Sequence, residues 1–142
     1  MDYGEVESYL VMHGYATPYQ VREAREWKRT TGGDFFQILI GRGVNSRDAY
    51  ETKAVVMQVP FIDLTVYKPD TSAINSVPAY IANRHNIIPI KKDGTTLYVA
   101  MSNVNDVTVN DDIRLASRCY VRGVLAVPEE ISLAIQRYYA VQ

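Results

Sequence analysis

Two pairs of adjacent carboxylates, Asp111-Asp112 and Glu129-Glu130, two histidines, His13 and His85, and one thiol, Cys119, are the side chains of this chain that could move a proton, bind a metal or act as a nucleophile. Each has a plainer job. Both carboxylate pairs stand where helices are expected to begin, in "NDDIRLAS" and just after Pro128, where acidic groups favour the helix dipole and cap free N–H groups. Neither histidine has an acidic or cysteine neighbour at ligand spacing, so no metal site is expected. Cys119 has no histidine nearby and precedes an apolar run, the setting of a buried thiol; as the single cysteine it also excludes an internal disulfide. No Gly-x-x-x-x-Gly-Lys-Ser/Thr phosphate loop occurs, and no nucleophile, base and oxyanion donor converge. The residues therefore predict a chain that is not itself an enzyme and carries no cofactor.

The stretch "TGGDFFQILI" raises a sharper question, because Gly32-Gly33-Asp34-Phe35-Phe36 differs by one letter from the Gly-Gly-Asp-Glu-Phe signature of cyclic di-GMP synthesis. That signature sits on a hairpin between strands and needs acidic groups for Mg²⁺. Here the preceding "VREAREWKRT" has a helical pattern, Phe35 stands in place of the glutamate, and only 31 residues precede Gly32. The two glycines read as the end of a helix.

An internal repeat supports this. When the segment from Gly4 is set over the segment from Gly33, Val6 falls on Phe35, Leu10 on Leu39, Gly14 on Gly43, Thr17 on Ser46 and Val21 on Tyr50. Each copy is a short helix, a glycine and a second helix. Val6, Tyr9 and Leu10 form an i, i+3, i+4 apolar stripe, as do Phe35, Ile38 and Leu39. Gly14 and Gly43 suit the left-handed position that ends a helix. Thr17, followed by Pro18, and Ser46 are the expected N-caps of the second helices.

After "VPFIDL" the pattern changes. "TVYKPDTSAINSVP" reads as a connector, Pro78 can open a helix through "AYIANRHN", and Asp93-Gly94 supplies the tight turn of a hairpin between "IIPIKK" and "TTLYVAM". A helix at "NDDIRLAS", a strand at "YVRGVLAV" and a helix from Pro128 with an Ile131, Ala134, Ile135, Tyr138 stripe follow. The fold class predicted is α+β: a helical subdomain of two helix-Gly-helix units over residues 1–64, a connector over 65–77, and an α-β-β-α-β-α subdomain over 78–142.

The formal net charge of −1, 15 Lys and Arg against 16 Asp and Glu, gives no long-range attraction to nucleic acid or to an anionic membrane. Arg22, Arg25, Lys28 and Arg29 could gather on one helix face, but Glu23 and Glu26 interrupt them, and the reading is a solvated face rather than a nucleic-acid site. No run is long and apolar enough for membrane insertion, and the start lacks a signal-peptide pattern, so a cytoplasmic location is expected. The 11 tyrosines are the compositional oddity. Tyr3, Tyr15, Tyr19 and Trp27 cluster in the first helical unit and are the candidate partner-binding residues, since aromatic side chains dominate protein interfaces.

With "VPFIDL", "VPAYIANRHNIIPIKKDGTTLYVAMSNVND" and "YVRGVLAVPEEISLAIQRYY" following a tandem helical repeat, the chain resembles the N-terminal domain of type II secretion and type IV pilus assembly ATPases, the GspE/PilB N-terminal or MshEN domain. The resemblance covers nearly the whole chain. It implies a regulatory and docking module, attached to the C-terminal ATPase domain of a parent chain, that binds a cytoplasmic segment of an inner-membrane platform protein and is peripheral to that membrane through its partners. Some members of the family bind cyclic di-GMP through two tandem motifs that open Arg-Leu-Gly. Carried over, those openings fall on Glu5-Val6-Glu7 and on Asp34-Phe35-Phe36, and the closing glutamines fall on Lys28 and Met57. Glu5 and Asp34 would repel phosphates where arginine attracts them, and Glu7 and Phe36 put side chains where glycine leaves space. The expectation is a repeat kept as scaffold with nucleotide binding lost; the alternative is a cyclic di-GMP receptor domain of the same family.

Overall fold

A computed structural model describes residues 3–139. The chain forms two compact units, Met1–Gln58 and Val59–Gln142.

The first unit is all helical: α1 (Tyr3–Met12), α2 (Pro18–Thr31), α3 (Phe35–Gly41) and α4 (Ser46–Met57). Their ends are written in the sequence. Thr17 and Gln20 form a reciprocal capping box at the start of α2, with Pro18 as first helical residue. Gly14 and Gly43 have φ of 71° and 100°, and a side chain at either would be strained. Gly32, at φ 77°, ends α2 and donates its N–H to the Lys28 carbonyl at 2.8 Å, so the Gly-Gly pair is a helix stop. One cap differs from expectation. Asn45, not Ser46, caps α4, its side-chain oxygen accepting from the N–H groups of Arg47 and Asp48. Asn45 holds the extended backbone that a cap needs, and Ser46 is already helical. Val6, Leu10, Val21, Ala24, Phe35, Phe36, Leu39, Ala49 and Tyr50 are buried. Lys53 is buried with them, its ammonium 5.2 Å from the Phe36 ring centre. Burial pushes its pKa down, and the Asp34 carboxylate pulls it partly back up.

The second unit is α+β. Its elements are α5 (Thr71–Ile74), α6 (Ala79–His85), β1 (Ile88–Asp93), β2 (Thr96–Met101), α7 (Val107–Ser117), β3 (Tyr120–Leu125) and α8 (Pro128–Tyr139). The sheet order is β1-β2-β3, with β1 antiparallel and β3 parallel to β2. The hairpin turn is Gly94-Thr95 rather than the expected Asp93-Gly94: Asp93 still pairs with Thr96 at the end of β1, and it is Gly94 that has the positive φ, 60°. The parallel pair needs a crossover, and α7 supplies it. Leu97, Val99, Met101, Ile113, Ile131 and Ile135 pack in one core.

This unit departs from the sequence reading at several points. The segment read as a connector contains α5, and Ala73, Ile74 and Val77 lie in the core. The unit begins at Val59 because Phe61 bridges Leu125 and Pro60 accepts the Leu125 N–H at 2.8 Å, which ties "VPFIDL" to the sheet. Helix α7 starts at Val107 under an Asp106 cap, so Asp111 and Asp112 are past its first turn and the dipole does not account for them. Asp112 instead meets His85 at 2.8 Å, and Asp111 pairs with Arg114 at 3.3 Å. His85 therefore has an acidic partner, brought in from across the chain.

Candidate functional site

The residues singled out in the first unit fall into two groups. Tyr19 and Trp27 lie on one face of α2, two helical turns apart, with Glu23 between them. Tyr19 is 61% and Trp27 51% exposed. The Tyr19 hydroxyl donates to Glu23 at 2.7 Å, which holds its pKa above the ordinary tyrosine value. Arg42, just past α3, extends its guanidinium over the Trp27 ring at 5.4 Å and reaches Glu23 at 3.8 Å. The Gln20 side chain donates to the Arg42 carbonyl at 3.0 Å and fixes that backbone against α2. The result is a wet aromatic stripe, Tyr19–Glu23–Trp27, steadied by one arginine. Glu23 follows from Tyr19 by helical spacing, whereas nothing in the local sequence marks Arg42.

Tyr3 and Tyr15 lie elsewhere. The Tyr3 ring packs on Phe35 at 4.5 Å between centres, and Lys28 stands 5.7 Å from it. Tyr15 is half-buried beside His13, which stacks on Tyr9 at 3.9 Å. The four aromatics do not form one patch.

The positions aligned with nucleotide motifs are occupied by structural work. Glu7 is buried and takes a bidentate ion pair from Arg25, whose Nε donates to it at 2.8 Å. Asp34 caps α3, accepting from the N–H groups of Phe36 and Gln37 at 2.8 and 3.0 Å. Phe36 is buried between Phe35 and Tyr50, with both ring centres 5.9 Å away. Glu5 and Asp34 are exposed. The basic residues of α2 are largely engaged as well: Arg25 by Glu7, Arg29 by Glu26, and Lys28 by the Gly33 carbonyl at 2.9 Å. Among the described residues no three His, Cys, Asp or Glu gather in a way that could hold a metal ion.

The second unit has a shallow trough of about 400 Å³ lined by Pro60, Phe61, Ile62, Tyr67, Tyr98 and Val124, with Lys91 at its side. Cys119 is buried and donates to the Ser117 carbonyl. Among the described residues no helix is long and apolar enough to cross a membrane.

The model of the MshEN domain family matches residues 57–142. The type IV pilus assembly ATPase PilB of Myxococcus xanthus is 26% identical over 138 residues, which are 96% of this chain and 24% of that protein. PilB of Acinetobacter baylyi is 22% identical over 131 residues, 92% of this chain and 23% of that protein. The chain thus spans about a quarter of the length of these relatives. Among solved structures, MshE with cyclic di-GMP superposes with a TM-score of 0.76 at 25% identity, covering 94% of this chain and 98% of that one. The N-terminal domain of XpsE superposes at 0.65 with 20% identity over 94% and 93%, a likeness of fold. The matched domain is the non-catalytic one, and the chain's mixed α+β architecture agrees with these structures.

Proposed function

Since the chain belongs to the MshEN domain family, we propose that it is a docking and regulatory domain of a secretion or pilus-assembly ATPase, joined to the ATPase domain of a parent chain. In this reading it binds a cytoplasmic segment of an inner-membrane platform protein and is held at that membrane through its partner. The observation that carries the docking reading is the fate of the motif positions. Glu7, Asp34 and Phe36 hold an ion pair, a helix cap and a core ring. Those roles leave no arginine for phosphate and no glycine for close approach of a ligand. The exposed Tyr19–Trp27 stripe is the contact surface proposed for the partner, because rigid aromatic side chains give large contact area at small entropic cost.

Binding of the cognate platform segment, followed by calorimetry, tests this. Trp27→Ala and Tyr19→Ala should each weaken it by at least about tenfold, an interface hot-spot effect. Undiminished binding by both variants would remove the stripe from the interface. The second reading, a cyclic di-GMP receptor, is favoured by the likeness to MshE with cyclic di-GMP. Micromolar calorimetric binding of cyclic di-GMP that is lost on substitution of Gly4 or Gly33 would establish it and displace the first.

A further inference from the structure

Backbone alternation fixes which way each peptide group of β3 faces. The Tyr120 N–H donates to Thr95 at 2.7 Å and the Ala126 N–H to Met101 at 3.0 Å, so even-numbered residues turn their N–H and C=O toward β2. Val121, Gly123 and Leu125 turn theirs outward. Leu125 is satisfied, its N–H bonded to Pro60 at 2.8 Å and its C=O to the Ile62 N–H at 2.9 Å. The outward groups of Val121 and Gly123 have no partner among the described residues. A half-edge of the sheet is thus open beside a half-edge already closed by Phe61–Ile62. What completes such an edge is another extended backbone.

The charges choose the occupant. Lys91, Tyr98 and Arg122 form one rung across the three strands, on one face of the sheet. Neither Lys91 nor Arg122 has an ion-pair partner among the described residues. The acid nearest in register is Asp93, at the hairpin turn on the rung with Thr96 and Tyr120. Between Ile113 and Val127 the sequence carries Arg114, Arg118 and Arg122 and no acid, and among the described residues only Arg114 of the three is ion-paired, with Asp111. A second copy paired edge to edge would bring arginine against arginine, an unfavourable cross-strand arrangement. We propose that the open edge of β3 accepts an extended acidic segment of a partner protein as an added strand, bonded to the backbone of Val121 and Gly123 with a carboxylate facing Arg122. Alternate side chains of that strand share the face of Val124 and the apolar trough. This surface belongs to the second unit and does not depend on the Tyr19–Trp27 stripe.

Amide hydrogen exchange followed by NMR on the 142-residue chain provides the test, with a capped peptide Thr-Val-Glu-Val-Glu-Val-Thr and its Lys-for-Glu counterpart as probes. In the free chain the Val121 and Gly123 amides exchange at least about tenfold faster than those of Arg122 and Val124, because only the latter are in the ladder. The Glu peptide at millimolar concentration slows both and shifts their resonances. The Lys peptide binds about threefold more weakly, as expected for an exposed ion pair. Arg122→Glu, at an exposed position, reverses the order of the two peptides, and Arg122→Gln abolishes the difference. Equal protection of all four amides in the free chain, absence of a shift with the Glu peptide, or equal response to both peptides overturns the proposal. Shifts at Val121 and Gly123 that grow with protein concentration alone would overturn it in favour of a second copy. Trp27→Ala should leave every one of these readouts unchanged, so failure here and failure of the docking reading are separable.

Discussion

The two units solve the same problem of burying an apolar face by different means. In the first, helices of 7 to 14 residues are fixed by caps and glycines at their own ends, and a repeated local pattern builds the bundle. In the second, a tight hairpin joins β1 and β2, but β3 and the covering helices are held by partners distant in the chain, and Tyr139, in the last turn of α8, donates its hydroxyl to the carbonyls of Ile74 and Val77 at 3.1 and 3.0 Å. Local instructions weigh more in the first unit and long-range ones more in the second. Single substitutions should therefore act through caps in the first and through core volume and buried hydrogen bonds in the second.

The largest expected effect is in the second unit. Ile131→Ala, at a position fully enclosed in the core, should destabilise it by about 2–5 kcal/mol, read as a shift of the denaturant midpoint. A loss under 1 kcal/mol would mean that the sheet is held by something other than this core. Next comes Tyr139, whose phenol is pushed up to about 12 by burial. The folded state holds this proton more tightly than the unfolded chain, whose tyrosine titrates near 10. The associated stability is complete below about pH 10 and is lost as pH rises from there through about 12, about 2–3 kcal/mol in all. Tyr139→Phe should cost about 1 kcal/mol at neutral pH and show a shallower alkaline decline, measured by urea unfolding at pH 8, 10 and 11. Parallel alkaline profiles would break the assignment.

In the first unit, Asp34→Ala removes a cap with two hydrogen bonds and should cost about 1 kcal/mol, whereas Asp34→Asn should cost little. Equal losses from both would mean that charge rather than capping holds α3. Smallest of all, Tyr19→Ala and Trp27→Ala should change stability by less than about 0.5 kcal/mol while acting on partner binding. A melting point lowered by several degrees would show that the stripe is part of the helical core.

Much of this was legible because the relevant signals are short. Thr17-Pro18, Gly94 and the glycines at 14, 32 and 43 each act within a turn, and the structure places a cap, a hairpin turn one residue later than expected, and three positive-φ residues there. Helix α5 was not legible, since four residues among prolines and polar side chains show no period and become helical by packing Ala73 and Ile74 into the core. The shift of the α4 cap to Asn45 was a choice between adjacent capping residues that spacing cannot make. The His85–Asp112 pair and Arg42 over Trp27 join segments far apart in sequence, where no periodicity can point. Of the surface features, the Tyr19–Trp27 spacing was readable, and the open half-edge of β3 was not, because it depends on how far Phe61 and Ile62 reach along the sheet.

The enclosure of Phe36 also bears on the history open to such a domain. An Arg-x-Gly opening cannot be reached from this arrangement by single neutral steps. Arginine at position 34 would forfeit the α3 cap, and glycine at 36 would empty a ring's volume from beneath Tyr50, a loss of about 3–5 kcal/mol or more. Each of these substitutions would lower stability before the other was present. Through the cap and the buried ring, the packing of the helical unit sets which residues its surface positions can carry.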